Sequence, residues 1–180
     1  GRYQPDLCVI GEPSGWDGVT IGYKGHLRLD YELSQTNEHT AGPQGGVAET
    51  AVAFWGALQQ YAERYNDGRD QLFEPVTPFL REICTDGDGL SNRVVTKISL
   101  RLPPDFDVES LKTWVAGQAT EACWRLHGYL PAFQTERSSP LVQAFTRAIR
   151  QAGVRPRLKR KTGTADMNVV GPRWQCPIVA

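Results

Sequence analysis

Hydrophobic and polar residues alternate along two stretches of the chain, which predicts β-strands that bury one face. The apolar side chains of residues 19–33 share one parity. In residues 94–102 the even positions are apolar or threonine, whereas Lys97, Ser99 and Arg101 stand at odd positions. Such alternation is typical of a strand with one buried and one solvated face. The first stretch, interrupted at Gly25, predicts either a pair of strands or one long bent strand, and Pro103 ends the second stretch.

Apolar residues spaced by three or four positions predict helices between and after these strands. Residues 46–65 carry one such stripe, and Asp107 is a suitable N-cap for a second helix that runs through about Ala122. Two further strands are predicted at residues 72–85 and 124–129. The order strand, helix, strand, strand, helix, strand, with both helices on one face, predicts a ferredoxin-like two-layer α+β sandwich.

The two ends of the chain differ from this central part and are typical of an α/β domain. Residues 7–10 form a short apolar strand, and residues 138–180 combine a helix, a basic strand, a loop, a short helix and a final apolar run. Because the chain starts just before one apolar strand and stops inside another, we expect it to be a fragment of a longer protein. We predict a sandwich inserted into a partial α/β domain, with the three parts at residues 1–16, 17–132 and 133–180.

Composition and charge narrow the classes of function. The 180 residues carry a formal net charge of zero, so no overall field attracts nucleic acid or an anionic membrane. No run approaches the roughly 20 apolar residues of a membrane span. The four cysteines stand far apart without a CxxC pair, which argues against a cysteine zinc site and favours reduced thiols in the cytoplasm. The basic run 155–161 is either a solvated strand and turn or an element that recognises anions.

Several polar residues stand where a strand or helix meets a turn, and each has a structural and a functional interpretation. Glu12 ends an apolar strand in the turn GEPSG, and it is either a satisfied turn residue or a ligand for a hard or borderline cation. His39 either caps the first helix or donates to a developing oxyanion. Asn92 either forms an Asx turn or donates its amide to a substrate carboxylate. The loop 161–168 is either an anion-binding turn or a helix start.

Four of these segments, taken together, resemble one enzyme family. They are VIGEPSG with the following GVTIGYKG, then NEHTAGP, then SNRVV ahead of SLRLPP, and finally KTGTADMNVVGPRW, in the family's order over nearly the whole chain. The chain thus resembles the two-metal aminoacylase-like metallopeptidases, which include acetylornithine deacetylase, succinyl-diaminopimelate desuccinylase and carboxypeptidase G. The sequences of the first and last segments are most similar to the lysine-biosynthesis branch of the family. Its members release lysine or ornithine from an amino-group carrier protein.

The resemblance implies a role for each candidate residue. Glu12 matches a carboxylate ligand of one of two divalent metal ions, usually zinc and alternatively cobalt. His39 matches a histidine that reaches into the partner subunit's active site and stabilises the tetrahedral intermediate, and Asn92 matches an asparagine that helps to hold the substrate. The substrate-side loop of the catalytic domain is matched by Lys161, Gly163 and Thr164.

The resemblance also implies how the parts of the protein work together. The inserted sandwich corresponds to the family's lid or dimerisation domain, through which a homodimer forms, and the two flanks correspond to its catalytic domain. The family hydrolyses amides with a metal-bridging water and a glutamate base. That glutamate and the other metal ligands have no counterpart here, so we expect this chain to be inactive although its cytoplasmic parent is a hydrolase. An acidic carrier protein is the implied partner. The basic run 155–161 would then either help to dock it or bind a substrate carboxylate.

Two alternatives stay open on the sequence alone. The first keeps the hydrolase and changes the substrate to acetylornithine or succinyl-diaminopimelate, because the residues that select the substrate are largely missing. The second is a non-catalytic dimerisation or amino-acid-binding module, because ferredoxin-like domains often pair edge to edge and bind small ligands at the seam. The flanking segments argue against the second, since a self-contained module has no use for the strand 7–10.

Overall fold

The computed structural model of the chain describes residues 4–36, 46–69 and 71–180, which form nine strands and four helices. The strands are β1 (Cys8–Val9), β2 (Gly18–Tyr23), β3 (Gly25–Thr36), β4 (Thr77–Gly87), β5 (Ser91–Leu102), β6 (Cys123–Leu130), β7 (Phe133–Gln134), β8 (Arg157–Lys161) and β9 (Ile178–Val179). The helices are α1 (Val47–Asn66), α2 (Val108–Gln118), α3 (Pro140–Gln151) and α4 (Asp166–Trp174).

A four-stranded antiparallel sheet, in the order β4-β5-β3-β6, packs on α1 and α2 and forms the sandwich, residues 25–130. The chain order β3-α1-β4-β5-α2-β6 is the predicted ferredoxin-like order, and the α+β class is confirmed. The alternation in β3 and β5 places one parity against the helices, where the apolar side chains are buried. That core includes Leu27, Leu29, Tyr31, Leu33, Phe54, Leu58, Val94, Ile98, Leu100, Leu111 and Val115.

Two predicted boundaries in the sandwich are corrected by local hydrogen bonds. The side chain of Asn66 binds both the N–H and the C=O of Val76, which closes the connection after α1, so β4 begins at Thr77 and not near residue 72. The N-cap of α2 is Asp107, as predicted, and its carboxylate accepts from the N–H of Glu109. The helix ends at Gln118 rather than near residue 122, because the backbone at the C-cap leaves the helical conformation there.

The segments on either side of the sandwich form a flanking unit, residues 7–23 and 133–180, with its own buried clusters. β2 lies between β7 and β8, and β1 pairs in parallel with β9. Helix α3 is capped at its N-terminus by the hydroxyl of Ser139. The buried apolar residues of the flanking unit are Val19, Ile21, Tyr23, Leu141, Val142, Ile149, Met167, Ile178 and Val179.

The strand β2 lies in the flanking unit, which corrects the prediction that residues 19–33 form one strand pair or one bent strand. β2 pairs with β8 and β7, whereas β3 pairs with β5 and β6, and only Lys24 separates the two strands. β3 buries mainly its odd-numbered residues, whereas β2 is buried at both parities from Val19 to Tyr23. Period-two alternation in the sequence does not say against which sheet a face is buried. The division of the chain into three domains stays a prediction.

Two short segments connect the sandwich with the flanking unit, residues 24–25 and residues 131–132, and they lie against each other. A Cβ atom added to Gly25 would stand 2.6 Å from the carbonyl oxygen of Leu130 and 2.8 Å from the nitrogen of Ala132. Lys24 is 1% exposed, its Nζ donates to the carbonyl of Pro75 at 2.6 Å, and burial lowers its pKa. The junction is therefore tightly packed, and it contains a buried amine.

Two further findings concern the helices and the cysteines. No helix in the three described ranges is long and apolar enough to cross a membrane. All four cysteines are free thiols, and burial raises the pKa of Cys8. The cytoplasmic location stays a prediction.

Candidate active site

Glu12 stands in a tight turn directly after β1. Its backbone N–H donates to the carbonyl of Ile10 at 2.9 Å, which turns the chain out of the parallel β1–β9 pair. The residue is half-buried, and its carboxylate has no hydrogen bond or ion pair with any residue that the structure describes. A carboxylate placed in this way at the carboxyl end of a parallel strand fits the donor chemistry of a divalent metal ligand.

Two lysines of β8 hold the turn that carries Glu12. The Nζ of Lys161 donates to the carbonyl of Pro13 at 3.0 Å, and the Nζ of Lys159 donates to the carbonyl of Ser14. These contacts arise because β8 runs parallel to β2, so its side chains reach the loop that precedes β2. The two ammonium groups therefore bind the backbone immediately after Glu12, and they are not simply solvated.

A third basic residue of the run is also paired. A guanidinium nitrogen of Arg157 lies 2.8 Å from the carboxylate of Asp17, and this hydrogen bond lowers the pKa of Asp17. Arg157 nevertheless stays largely exposed, as does Arg155. The exposed positive charge of the run 155–161 is thus at its amino-terminal end, whereas Lys159 and Lys161 are half-buried.

The structure brings the loop that begins at Lys161 next to the Glu12 turn. Lys161 begins this loop, its ammonium group reaches Pro13, and its carbonyl accepts from the N–H of Lys24 at 3.1 Å. Gly163 and Thr164 follow as half-buried residues ahead of α4. The two flanking segments of the sequence therefore converge, although the roles assigned to these residues stay predictions.

Asn92 does not converge with this site within one chain. It lies exposed near the start of β5, opposite Gln35, whereas Leu102 at the other end of β5 lies opposite Gly25 at the junction. Ten residues at about 3.3 Å per residue place Asn92 about 33 Å from that junction. His39 lies outside the described residues, and the last described residue before it, Thr36, stands at the same far end as Asn92.

The structure also assembles a group of basic residues that the motifs did not indicate. On the open face of the four-stranded sheet, turned away from α1 and α2, His26 lies directly opposite Arg101 and Arg28 lies opposite Ser99. From the neighbouring strand, the Nε of Arg81 donates to the hydroxyl of Ser99 at 2.9 Å. We call His26, Arg28, Arg81 and Arg101 the arginine group.

The electrostatics of the arginine group favour an anionic ligand. Burial, followed by the positive charge of Arg101, lowers the pKa of His26, and burial followed by the charge of Arg81 lowers the pKa of Arg101. The Nη1 atom of Arg101 is buried without a hydrogen-bond partner among the described residues. A buried guanidinium N–H without a hydrogen-bond partner is unfavourable in free energy. A bound carboxylate or similar anion would accept from it and remove this cost.

Charges elsewhere on the open face are paired, which sets the arginine group apart. No described carboxylate lies within ion-pair distance of the three arginines of this group. The arginine group stands at the end of the open face that is next to the junction, since His26 follows Gly25. The alternation of polar residues in β3 and β5 could have placed His26, Arg28 and Arg101 on one face from the sequence. Arg81 escapes that signal because β4 has a register shift between Leu80 and Glu82. The pairs farther along the face are Lys97–Glu82, Arg93–Glu32 and Arg125–Asp30, at 2.9, 2.7 and 3.0 Å.

The described part of the chain does not by itself assemble a complete metal site. It contains no group of three or more histidine, cysteine, aspartate or glutamate side chains that could hold a metal ion. Glu12 is the one metal ligand that the sequence predicts. That this chain is inactive stays a prediction.

Comparison with known proteins identifies relatives over nearly the whole chain, although no family model matches it. It is 34% identical over 99% of its length to the "[LysW]-lysine hydrolase" of Deinococcus radiodurans, covering 51% of that protein. It is 39% identical over 98% of its length to the "Putative [LysW]-lysine/[LysW]-ornithine hydrolase" of Thermococcus kodakarensis, covering 46% of it. The chain thus spans about half the length of the curated relatives that it matches.

Solved structures share the fold. The M20 family metallo-carboxypeptidase of Sulfolobus solfataricus superimposes with a TM-score of 0.68 at 13% identity, covering 97% of this chain and 55% of that one. A tripeptidase of Staphylococcus aureus gives a TM-score of 0.68 at 14% identity, with 98% of this chain and 48% of that chain covered. At such low identities the likeness concerns the fold alone.

Proposed function

Because the chain belongs to the two-metal aminoacylase-like metallopeptidases, the family of its [LysW]-lysine hydrolase relatives, we propose that it is part of an amide hydrolase. This enzyme releases lysine or ornithine from the amino-group carrier protein LysW. The observation that carries the proposal is the 34% and 39% identity to two such hydrolases over 99% and 98% of the chain. Acetylornithine and succinyl-diaminopimelate are the competing substrates.

In this proposal the two packing units correspond to two domains of the enzyme. The sandwich, residues 25–130, is the lid or dimerisation domain, and the flanking unit is part of the catalytic domain. The pairing of β2 with β8 and the separate buried clusters support a boundary at Lys24 rather than at residue 17.

Glu12 is the residue that would hold one of the two metals, zinc or cobalt, of the complete enzyme. Divalent ions in such a site make water nucleophilic at neutral pH and polarise the amide carbonyl. The free carboxylate and the two lysine contacts that hold the turn support this role, because a ligand must be kept in place by its surroundings. Lys161, Gly163 and Thr164 would line the substrate side of the same site.

The arginine group would bind the carboxylate of the substrate. Guanidinium groups match carboxylates in shape and charge, and this group lacks a carboxylate of its own among the described residues. It adjoins the junction, where the carbonyl of Lys161 binds Lys24 close to the Glu12 turn. The carboxylate would therefore be held near the reacting amide.

A homodimer would explain the distance between Asn92 and Glu12. Asn92, and with it His39, would act in the partner subunit's site, since Asn92 stands about 33 Å from its own junction, at about 3.3 Å per strand residue. The edge strand β4 supports pairing of two sandwiches, because it exposes apolar side chains on an unpaired edge. These side chains are Phe79, Leu80 and Ile83.

The acidic carrier protein would dock through Arg155 and Arg157. They are the exposed cations of the basic run, whereas Lys159 and Lys161 already bind the carbonyls of Ser14 and Pro13. The carrier is thus recognised by the outer end of the run, and the inner end supports the Glu12 turn.

The proposed function is tested by assaying the complete protein that contains this chain. LysW-linked lysine, N-acetylornithine and succinyl-diaminopimelate are each offered with zinc and again after chelation. We expect metal-dependent release of lysine from the carrier to be the fastest reaction. Faster hydrolysis of either small substrate would favour the competing enzyme, and no metal-dependent hydrolysis would favour the dimerisation module.

Replacing Arg101 with glutamine is expected to lower kcat/KM of the complete enzyme about 100-fold, equivalent to about 2.7 kcal/mol. Stability should not fall, because the substitution removes one of several mutually repelling charges. The pKa of His26 should rise, since one positive neighbour is gone, and an NMR titration of its ring measures this. The matched control Arg125→Gln removes a paired arginine of the same face and should leave kcat/KM unchanged. Equal kinetic effects of the two substitutions would refute the carboxylate site.

A further inference from the structure

The buried side chain of Asn168 contacts both segments that connect the sandwich with the flanking unit. Asn168 lies in the first turn of α4 and is 1% exposed. Its Nδ2 donates to the carbonyl of Lys24 at 3.0 Å and to the carbonyl of Pro131 at 2.8 Å. Its Oδ1 accepts from the N–H of Ala165 at 2.8 Å. Both donors and the acceptor of the amide are therefore used.

These three contacts join parts of the chain that are far apart in sequence. Lys24 lies between β2, which pairs with β8, and β3, which pairs with β5. Pro131 follows the end of β6. A side chain with two donors on one atom can bind both carbonyls at once, which a hydroxyl or a carboxylate cannot. At the other end of the amide, Ala165 closes the loop that contains Gly163 and Thr164.

We propose that Asn168 is a positioning residue that fixes the sandwich at one angle to the flanking unit and links that angle to the loop of Gly163 and Thr164. The geometric part of this inference depends only on the hydrogen bonds at the junction. Its consequence for catalysis rests on the proposed function, because the arginine group and Glu12 lie on opposite sides of the junction and must stay in register to hold one substrate.

Asn66 offers a matched control with the same chemistry and a local role. Its Nδ2 donates to the carbonyl of Val76 at 2.9 Å and its Oδ1 accepts from the N–H of Val76 at 2.7 Å, both inside the sandwich. Truncating either asparagine leaves backbone groups without partners and lowers stability. Only the loss of Asn168 should change how the two units are placed.

The test measures the distance between the units by pulsed electron spin resonance. One spin label is attached to Glu63→Cys on the exposed side of α1 in the sandwich and the other to Gln151→Cys at the end of α3, with the four native cysteines changed to alanine. The unsubstituted junction should give one narrow distribution. Asn168→Ala should make it about twofold broader, the signature of a freed hinge. Asn66→Ala should leave its width unchanged.

A second variant keeps the inference testable if Asn168→Ala does not fold. Asn168→Ser retains one donor and a small volume, and circular dichroism reports whether both units stay folded. An unchanged distribution in a folded Asn168 variant would overturn the inference, and so would equal broadening by Asn66→Ala. An inactive complete protein with the expected distances would count against the proposed function and leave this inference standing.

Discussion

Gly25→Ala is expected to destabilise the chain by about 3 kcal/mol, the upper range for overpacking in a rigid region. The added methyl group would stand 2.6 Å from the carbonyl oxygen of Leu130 and 2.8 Å from the nitrogen of Ala132. Both neighbours are backbone atoms, so neither can rotate away, and the two connecting segments must separate. Urea denaturation followed by circular dichroism measures the loss.

Gly56→Ala is the matched control for this substitution. Gly56 lies inside α1, and nothing lies within 4 Å of a Cβ built on it. Because alanine is the better helix former, this variant should be more stable than the natural chain by about 1 kcal/mol. The same added methyl group thus has opposite effects at the two sites. If Gly25→Ala were as stable as the natural chain, the segments would not be in contact.

Under the proposed function, Glu12→Gln is expected to lower kcat/KM of the complete protein by about 10³-fold or more, because a neutral amide would replace an anionic metal ligand. Its metal affinity should fall as well, which a competition titration with a chromogenic chelator measures. The stability of the 180-residue chain should change by less than about 0.5 kcal/mol, because the carboxylate has no partner among the described residues. If Glu12 only stabilised the turn, the substitution would instead lower stability and leave activity unchanged.

Glu49→Gln supplies that reverse pattern as a control. The Glu49 carboxylate accepts from the N–H of Gly46 at 2.8 Å and caps the start of α1, which is a structural role. This variant should be less stable by a few tenths of a kcal/mol and fully active. Retained activity of Glu12→Gln, or a stability loss larger than that of Glu49→Gln, would return Glu12 to its structural interpretation.

The order of elements in the sandwich could be predicted from the sequence, because alternation and helical stripes are local signals. The partner of a strand could not. β2 and β3 carry their apolar residues at the same parity and are separated only by Lys24, yet they belong to different sheets. Register and sheet membership depend on contacts between segments distant in sequence, such as β2 with β8, which periodicity does not report.

The candidate site was predictable in part, for a related reason. The resemblance assigned Glu12 and the loop at Lys161 to one site, and the structure places them next to each other. It did not indicate that Asn92 stands at the far end of β5. The arginine group depends on cross-strand register and on an irregularity in β4. Asn168 carries no periodic signal at all, because its partners at Lys24 and Pro131 are distant in sequence.

The sandwich begins at Gly25 and ends at Leu130, and those two ends are neighbours, since His26 pairs with Leu130 across β3 and β6. Adjacent strands lie about 4.8 Å apart, which is the gap that an ordinary hairpin bridges. In the flanking unit, the whole sandwich therefore takes the place of a loop between β2 and β7. Evolution can enlarge, exchange or delete such an insertion without disturbing the strands that hold the turn of Glu12.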